Sequence, residues 1–179
     1  MALSSTTYKL QLTLSDTDRG VYETVRKTLA RHPSETELRL TARILAYGLW
    51  WAERLEFGRG LSDVGHPALW RHSLASQVEH WIDVGRPDAD RMTRAARQAP
   101  QASVLAYGST AVWLETVVPK VMELSSLEIA LLPEAETNDL ATELPRTIDW
   151  SLMITDGTLY VGDGEQQHEL VLHWAKERS

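Results

Sequence analysis

Arg31-His32-Pro33-Ser34-Glu35-Thr36-Glu37, with the amphipathic segment it opens from Glu35 to about Ala52, decides how the rest of the chain is read. Pro33 fixes the backbone ahead of a helix start. Ser34 offers a side-chain oxygen to the orphan amides of the first turn, and Glu37, three residues on, completes a capping box. Leu38, Ala42, Leu45 and Leu49 recur at helical spacing as an apolar stripe, while Glu35, Arg39 and Arg43 line up on another face. The pattern predicts a core helix with sheet wrapped around it, one side apolar and the other presenting an acid followed by two bases.

Working back from the helix, Tyr8, Leu10, Leu12 and Leu14 alternate with polar residues, the period of a strand with one buried face. A turn-rich break at residues 15–20 leads to a second alternating segment from Val21 to Leu29, whose β-branched content favours a strand. Working forward, the helix closes near Glu53 to Phe57 and a loop carries Gly58 and Gly60. Pro67 to His72 and Gln77 to Val84 read as a hairpin turning between Ala75 and Ser76, which sets Trp70 opposite Trp81, His72 opposite Glu79 and Ala68 opposite Asp83. Asp88 is placed to cap a helix running to about Gln98. A buried strand from Ala102 to Tyr107 precedes a helix from Thr110 to Glu123 that Pro119 must kink or end. Leu127 to Leu132 reads as a strand and Glu134 to Glu143 as a polar helix or loop. Asp156-Gly157 and Gly162-Asp163-Gly164 then mark the turns of a closing meander. This order gives an α/β (α+β) fold: a mixed central sheet flanked by helices, with a C-terminal β-meander, in a single domain over residues 1–179.

Composition narrows the chemistry. Without cysteine there is no disulfide, thiolate zinc site or cysteine nucleophile. A formal charge of −7 disfavours broad, sequence-independent nucleic-acid binding, which needs many Lys and Arg on phosphates, and leaves room for a local basic groove. No apolar run approaches the roughly 18 residues that span a bilayer, and the first residues lack a basic block followed by an apolar one. The expectation is a cytoplasmic monomer with no membrane association. Phosphate-binding loop, nucleophile-elbow and H-E-x-x-H motifs are missing, and His66, His72 and His80 lack a partner set at ligand spacing.

Carboxylates are the stronger lead, because Mg2+ takes one or two of them along with waters and phosphate oxygens. Glu35 at the helix start and Asp83 at a strand end are the pair expected to converge on a metal. Glu79 and Asp83 share a strand face but stand about 13 Å apart, too far to grip one ion. Each acid also has a structural reading: Glu35 with Arg39 one turn on, Glu37 as a cap, Glu79 across from His72. Arg91, Arg94 and Arg97 at three-residue spacing form either a solvated face or a phosphate-contacting row.

Residues 30–36 (Ala-Arg-His-Pro-Ser-Glu-Thr), Glu53-Arg54-Leu55 with Phe57 to Leu61, and Trp81-Ile82-Asp83-Val84-Gly85 followed by Pro87-Asp88 together resemble the YaeQ family of bacterial proteins, over nearly the whole chain. That resemblance implies a variation on the PD-(D/E)xK nuclease architecture, restriction-endonuclease-like, with a metal between a helix acid and two strand acids. Carried over, Glu35 is the helix acid and Asp83-Val84-Gly85 stands at the D/E-x-K strand, with Gly85 in place of the lysine. Pro67-Ala68 stands where Pro-Asp is expected, so Asp63 or Glu79 would have to serve as second acid and Arg91 or Arg94 as the missing cation.

Two functional readings follow. In one, Glu35, Glu79 and Asp83 are catalytic, Glu35 and Asp83 bind Mg2+, and Arg39, Arg91 and Arg94 hold a nucleic-acid substrate for attack by metal-bound water on a phosphodiester. In the other, a non-catalytic binding or regulatory protein, tied to transcription, uses the same scaffold to engage a protein or nucleic-acid partner.

Overall fold

The computed structural model describes residues 3–179. The first two alternating segments form a long antiparallel hairpin, β1 (Thr6–Asp16) and β2 (Val21–Arg31), with Leu12 opposite Val25. The helix follows as α1 (Glu37–Leu49), then an antiparallel run of β3 (Leu55–Phe57), β4 (Leu69–His72) and β5 (Val78–Val84). Next come α2 (Ala89–Gln98), β6 (Gln101–Ala106), α3 (Ala111–Thr116) and β7 (Leu127–Leu131). Pro119 lies in a single 3-10 turn after α3, so the longer helix expected there ends where a missing amide makes it end. The chain closes with α4 (Glu134–Ala141), β8 (Thr147–Thr155), β9 (Thr158–Gly162), β10 (Gln167–Val171) and β11 (His173–Lys176).

The strands divide between two mixed sheets rather than forming one. The first has the order β10-β9-β8-β1-β2, in which β1 and β8 run parallel; the second has the order β11-β7-β6-β5-β4-β3, in which β5, β6 and β7 run parallel. The last strand of the expected meander is cut at Leu172, which frees β11 to leave the first sheet and pair with β7 in the second.

Helix α1 lies between the sheets. One apolar cluster joins its Leu40, Ile44 and Leu45 to Leu12 and Leu152 of the first sheet and to Ile82 and Leu105 of the second. Residues 40–48 are buried without a break, so the helix has no solvent face and Arg43 sits in the interior. The cap also differs from expectation. The amide of Glu35 donates to the His32 carbonyl (2.8 Å), closing a turn over Pro33-Ser34 that holds Ser34 outside the helix. Thr36 takes over as N-cap, its Oγ1 accepting from the Arg39 amide at 3.1 Å.

The β4–β5 hairpin keeps Trp70 opposite Trp81 but slips beyond that point, so that His72 faces Val78 and not Glu79. The loop has three residues, Leu74 to Ser76, with Ser76 in the left-handed region (φ 62°), the geometry that inserts a bulge beside a three-residue turn. On the second sheet, alternation assigns faces. Ile82 and Leu105 meet α1, whereas Trp81, Val104 and Ala106 pack with Met92 of α2 and Trp113 of α3 in a separate cluster.

At Gly48 α1 lies close against the first sheet, where a Cβ would run into the Leu152 side chain. Gly48→Val should therefore destabilise the fold by about 1–3 kcal/mol, read as a fall in the urea midpoint at unchanged slope.

Candidate functional site

Among the described residues three carboxylates are buried, Asp16, Glu35 and Asp83, and the last two are the acids singled out in the sequence. Glu35 is 3% exposed. Arg43 grips it with two parallel bonds, Nε to Oε1 at 2.7 Å and Nη2 to Oε2 at 2.8 Å, and Arg39 Nη1 adds a third at 3.0 Å. Arg31 Nη1 donates to the Glu35 carbonyl at 2.8 Å, and Arg43 Nη2 also reaches the Ala30 carbonyl. The i, i+4, i+8 spacing read from the sequence thus becomes an inward-facing clamp, fixing the end of β2 to α1 through a fork geometry suited to a carboxylate.

Asp83 is 5% exposed and is held the same way by other residues. Arg91 donates Nε to Oδ2 and Nη2 to Oδ1, both at 2.9 Å, and the Trp81 indole donates to Oδ2 at 3.0 Å. The remaining Arg91 donors reach the carbonyls of Val64 and His66, at 2.7 and 2.9 Å, pinning the loop before β4 onto α2. The bond to Asp83 is the main cause of a guanidinium pKa raised above its ordinary value.

The structure brings Glu35 together with Arg39, and Asp83 together with Arg91. It does not bring Glu35 to Asp83. Asp83 shares its strand face with Trp81 and looks toward α2, whereas Glu35 sits with α1 against the opposite face. Glu79 accepts from Arg71 Nε at 3.0 Å and Arg54 Nη2 at 3.4 Å near the hairpin end, and Arg94 is an exposed residue of α2. A divalent ion would have to displace guanidinium groups from both principal acids and bridge two faces of a sheet, so Glu35 and Asp83 as arranged do not fit a shared metal. Among the described residues no group of three or more His, Asp or Glu is gathered to hold an ion.

Sequence reading missed a polar row on the α1 side of the second sheet. His80, Ser103 and Glu128 sit on the adjacent strands β5, β6 and β7, with His80 Nε2 2.7 Å from Ser103 Oγ and Ser103 donating to Glu128 Oε1 at 2.6 Å. The signal was present in each strand: a polar residue at an inward position of Val-Glu-His-Trp-Ile, Gln-Ala-Ser-Val-Leu and Leu-Glu-Ile-Ala-Leu. What the sequence did not reveal was that three separate strands lay side by side. Burial, reinforced by the charges of Arg71, Arg178 and Arg19, holds the His80 pKa down to about 3, so its ring is neutral.

A third feature lies where β5 and β6 end. The Tyr107 phenol is pushed up by burial, with Arg39 and Arg86 pulling it back and Glu35 adding to the rise, so these four groups share one neighbourhood. The Tyr107 ring packs on Gly85, whose φ of +97° suits only glycine, and Gly60 lies beside Arg39 Nη1. The segments around residues 31–36, 57–61 and 83–88 thus gather at one edge.

Fold and site define an α+β protein of two mixed sheets around a buried helix, with interior carboxylates clamped by arginine. A family model described as YaeQ protein matches residues 1–172, and the chain belongs to that family. Proteins named "Uncharacterized protein YaeQ" from Salmonella typhi and Escherichia coli (strain K12) are 33% and 32% identical over 174 residues, 96% of each chain. The crystal structure of YaeQ protein from Pseudomonas syringae is 52% identical, with a TM-score of 0.95 over 97% of both chains. That of the YaeQ protein from Xanthomonas axonopodis pv. citri is 33% identical, with a TM-score of 0.93 over 97% of this chain and 99% of the other.

Removing one partner of the Glu35 clamp strands a buried guanidinium, so Glu35→Ala should lower stability by about 3–5 kcal/mol. Adding Arg43→Met should restore part of the loss, measurable as a coupling energy in a double-mutant cycle of urea unfolding.

The unfolded chain protonates His80 near the ordinary 6.5, whereas the folded chain does so only near 3. Acid between those values therefore favours unfolding, by about 1.4 kcal/mol per pH unit for this one group. Stability measured from pH 7 to pH 4 should fall less steeply in His80→Gln than in the wild type.

Proposed function

We propose that the chain is a non-catalytic binding protein on a nuclease-like layout, and that its partner is the phosphate backbone of a nucleic acid, engaged at the edge where β5 and β6 end. The single observation that carries this reading is the occupation of both principal acids, Glu35 and Asp83, by arginine. Both oxygens of Glu35 and of Asp83 accept from guanidinium donors, with the Trp81 indole also on Asp83, which leaves neither open to bind a metal and activate water, while Glu79 accepts from Arg71 and Arg54 at Oε2 alone, near the hairpin end. The α1, β3-β4-β5, α2, β6 order supports the layout, with β5 and β6 parallel and the three strands before α2 antiparallel.

The same edge offers cations. Arg86 is exposed, with one guanidinium nitrogen donating to the Ser109 carbonyl at 2.6 Å, and Arg59 is exposed on the loop that packs against Arg39. Planar guanidinium forks pair well with phosphate oxygens. At a net charge of −7 the remainder of the surface repels a polyanion, which confines contact to this edge.

Fluorescence anisotropy with single-stranded and duplex oligonucleotides tests the reading. Binding should weaken as salt rises, and Arg59→Ala with Arg86→Ala should reduce affinity about tenfold and lower the salt slope by roughly one for each phosphate that is no longer neutralised. Calorimetry should show no saturable Mg2+ or Mn2+ binding, and the oligonucleotides should stay intact. Saturable metal binding that disappears in Asp83→Ala, accompanied by phosphodiester cleavage, would return the protein to the metal-dependent phosphodiesterases.

A further inference from the structure

A cavity of about 450 Å³ opens between the two sheets, at the end remote from Tyr107, where α1 finishes and the C-terminal segment crosses. Its floor is the polar row on β5, β6 and β7. Glu128 accepts from the Ser103 hydroxyl, so Ser103 must in turn accept from His80 Nε2–H. This chain of donors fixes the tautomer: Nδ1 of His80 keeps its lone pair, and no described residue donates to it. His80 is 2% exposed and Ser103 1%, so this is a built interior site and not a surface accident. Gln101, also on the floor, directs its amide nitrogen toward Glu128 at 3.5 Å, which leaves its carbonyl oxygen as a further acceptor. Apart from the second N–H of Gln101, the free groups of the floor are acceptors: an imidazole nitrogen, an amide oxygen and the second oxygen of a carboxylate.

Donors flank this row: Arg71 is the cross-strand neighbour of His80 on β4, and Arg178 follows β11 at the other edge of the sheet. Arg71 commits only Nε, to Glu79, and the Arg178 guanidinium is exposed and makes no hydrogen bond among the described residues. Arg19 is fully engaged by Asp16 and by the carbonyls of Trp51 and Gly48. Across the lining, Asp16, Asp18, Glu128 and Glu177 roughly balance Arg19, Arg71 and Arg178. A polyanion finds too many carboxylates here, and a divalent cation too many guanidinium groups. Trp50 and Trp174, edge to face at 6.5 Å, add an apolar wall.

From this arrangement we infer that the cavity binds a small zwitterion, of the size of a larger amino acid or a dipeptide, with its ammonium on His80, Gln101 and Glu128 and its carboxylate on Arg71 and Arg178. An ammonium has three donors to match three acceptors, and a carboxylate matches the guanidinium fork. A volume of 450 Å³ lies within the range of small-molecule pockets. The site uses none of the residues assigned above to the nucleic-acid edge, so the two readings stand or fall separately.

Titrating the full-length chain with the twenty L-amino acids and a set of mixed dipeptides, followed by tryptophan emission and calorimetry, tests the inference. At least one zwitterion should saturate, while the matched free amine, the matched carboxylate, AMP and Mg2+ should not. Arg178→Ala alters an exposed side chain and should leave the thermal midpoint in place while weakening binding tenfold or more; Glu128→Gln should do the same through the ammonium. Failure of every zwitterion to bind would overturn the proposal. So would equal affinity in wild type and Arg178→Ala, or tighter binding of AMP than of any amino acid or dipeptide.

Discussion

The pairing of Glu35, just ahead of α1, with Arg43 inside that helix, which has no solvent face, is the constraint on which the rest depends. A buried carboxylate and a buried guanidinium are tolerable only when each satisfies the other's hydrogen bonds, and that requires β2, the turn over Pro33-Ser34 and α1 to meet at fixed positions. Arg43 binds Glu35 and the carbonyl of Ala30 together, so the long hairpin cannot shift along the helix without exposing an unpaired charge. The first sheet is thereby fixed to α1, and α1, through Ile82 and Leu105, to the second.

Asp83 with Arg91 does for the far side of the second sheet what Glu35 with Arg43 does for the near side. Both guanidinium groups also hold backbone carbonyls, Ala30 in one case and Val64 and His66 in the other, so each ion pair ties a neighbouring stretch of chain to a helix. Carboxylates at these two positions thus look alike in sequence whether they serve a metal or an arginine. Only the three-dimensional partner separates the uses, and here the partner is a guanidinium with its fork filled.

Much of the fold was legible because it follows from local rules. The alternation in β1 and β2, the Asp88 cap of α2, Pro119 as the end of α3 and the glycine turns of the meander were written in periodicity and turn chemistry. What escaped was non-local. That α1 has sheet on both sides is not visible from its own stripe, since Thr41 and Arg43 read as polar-face residues. The exit of β11 into the second sheet depends on an open edge at β7 that no sequence window contains. For the site, residue types were legible and their meeting was not: Glu35 and Asp83 could be picked out as unusual acids, but their faces depend on how the helices distribute over the sheet. His80, Ser103 and Glu128 only become a row once β5, β6 and β7 lie side by side.

The parallel ladder between β1 and β8 joins Lys9 to Thr147, partners 138 positions apart. At ribosomal speeds of roughly 5–20 residues per second, the opening hairpin emerges on the order of ten seconds before the strand that completes its sheet. During that interval α1 can already cover the apolar side of Tyr8, Leu10, Leu12 and Leu14, but the β1 edge that will take β8 keeps its amides and carbonyls unpaired, so this ladder closes long after the hairpin beside it.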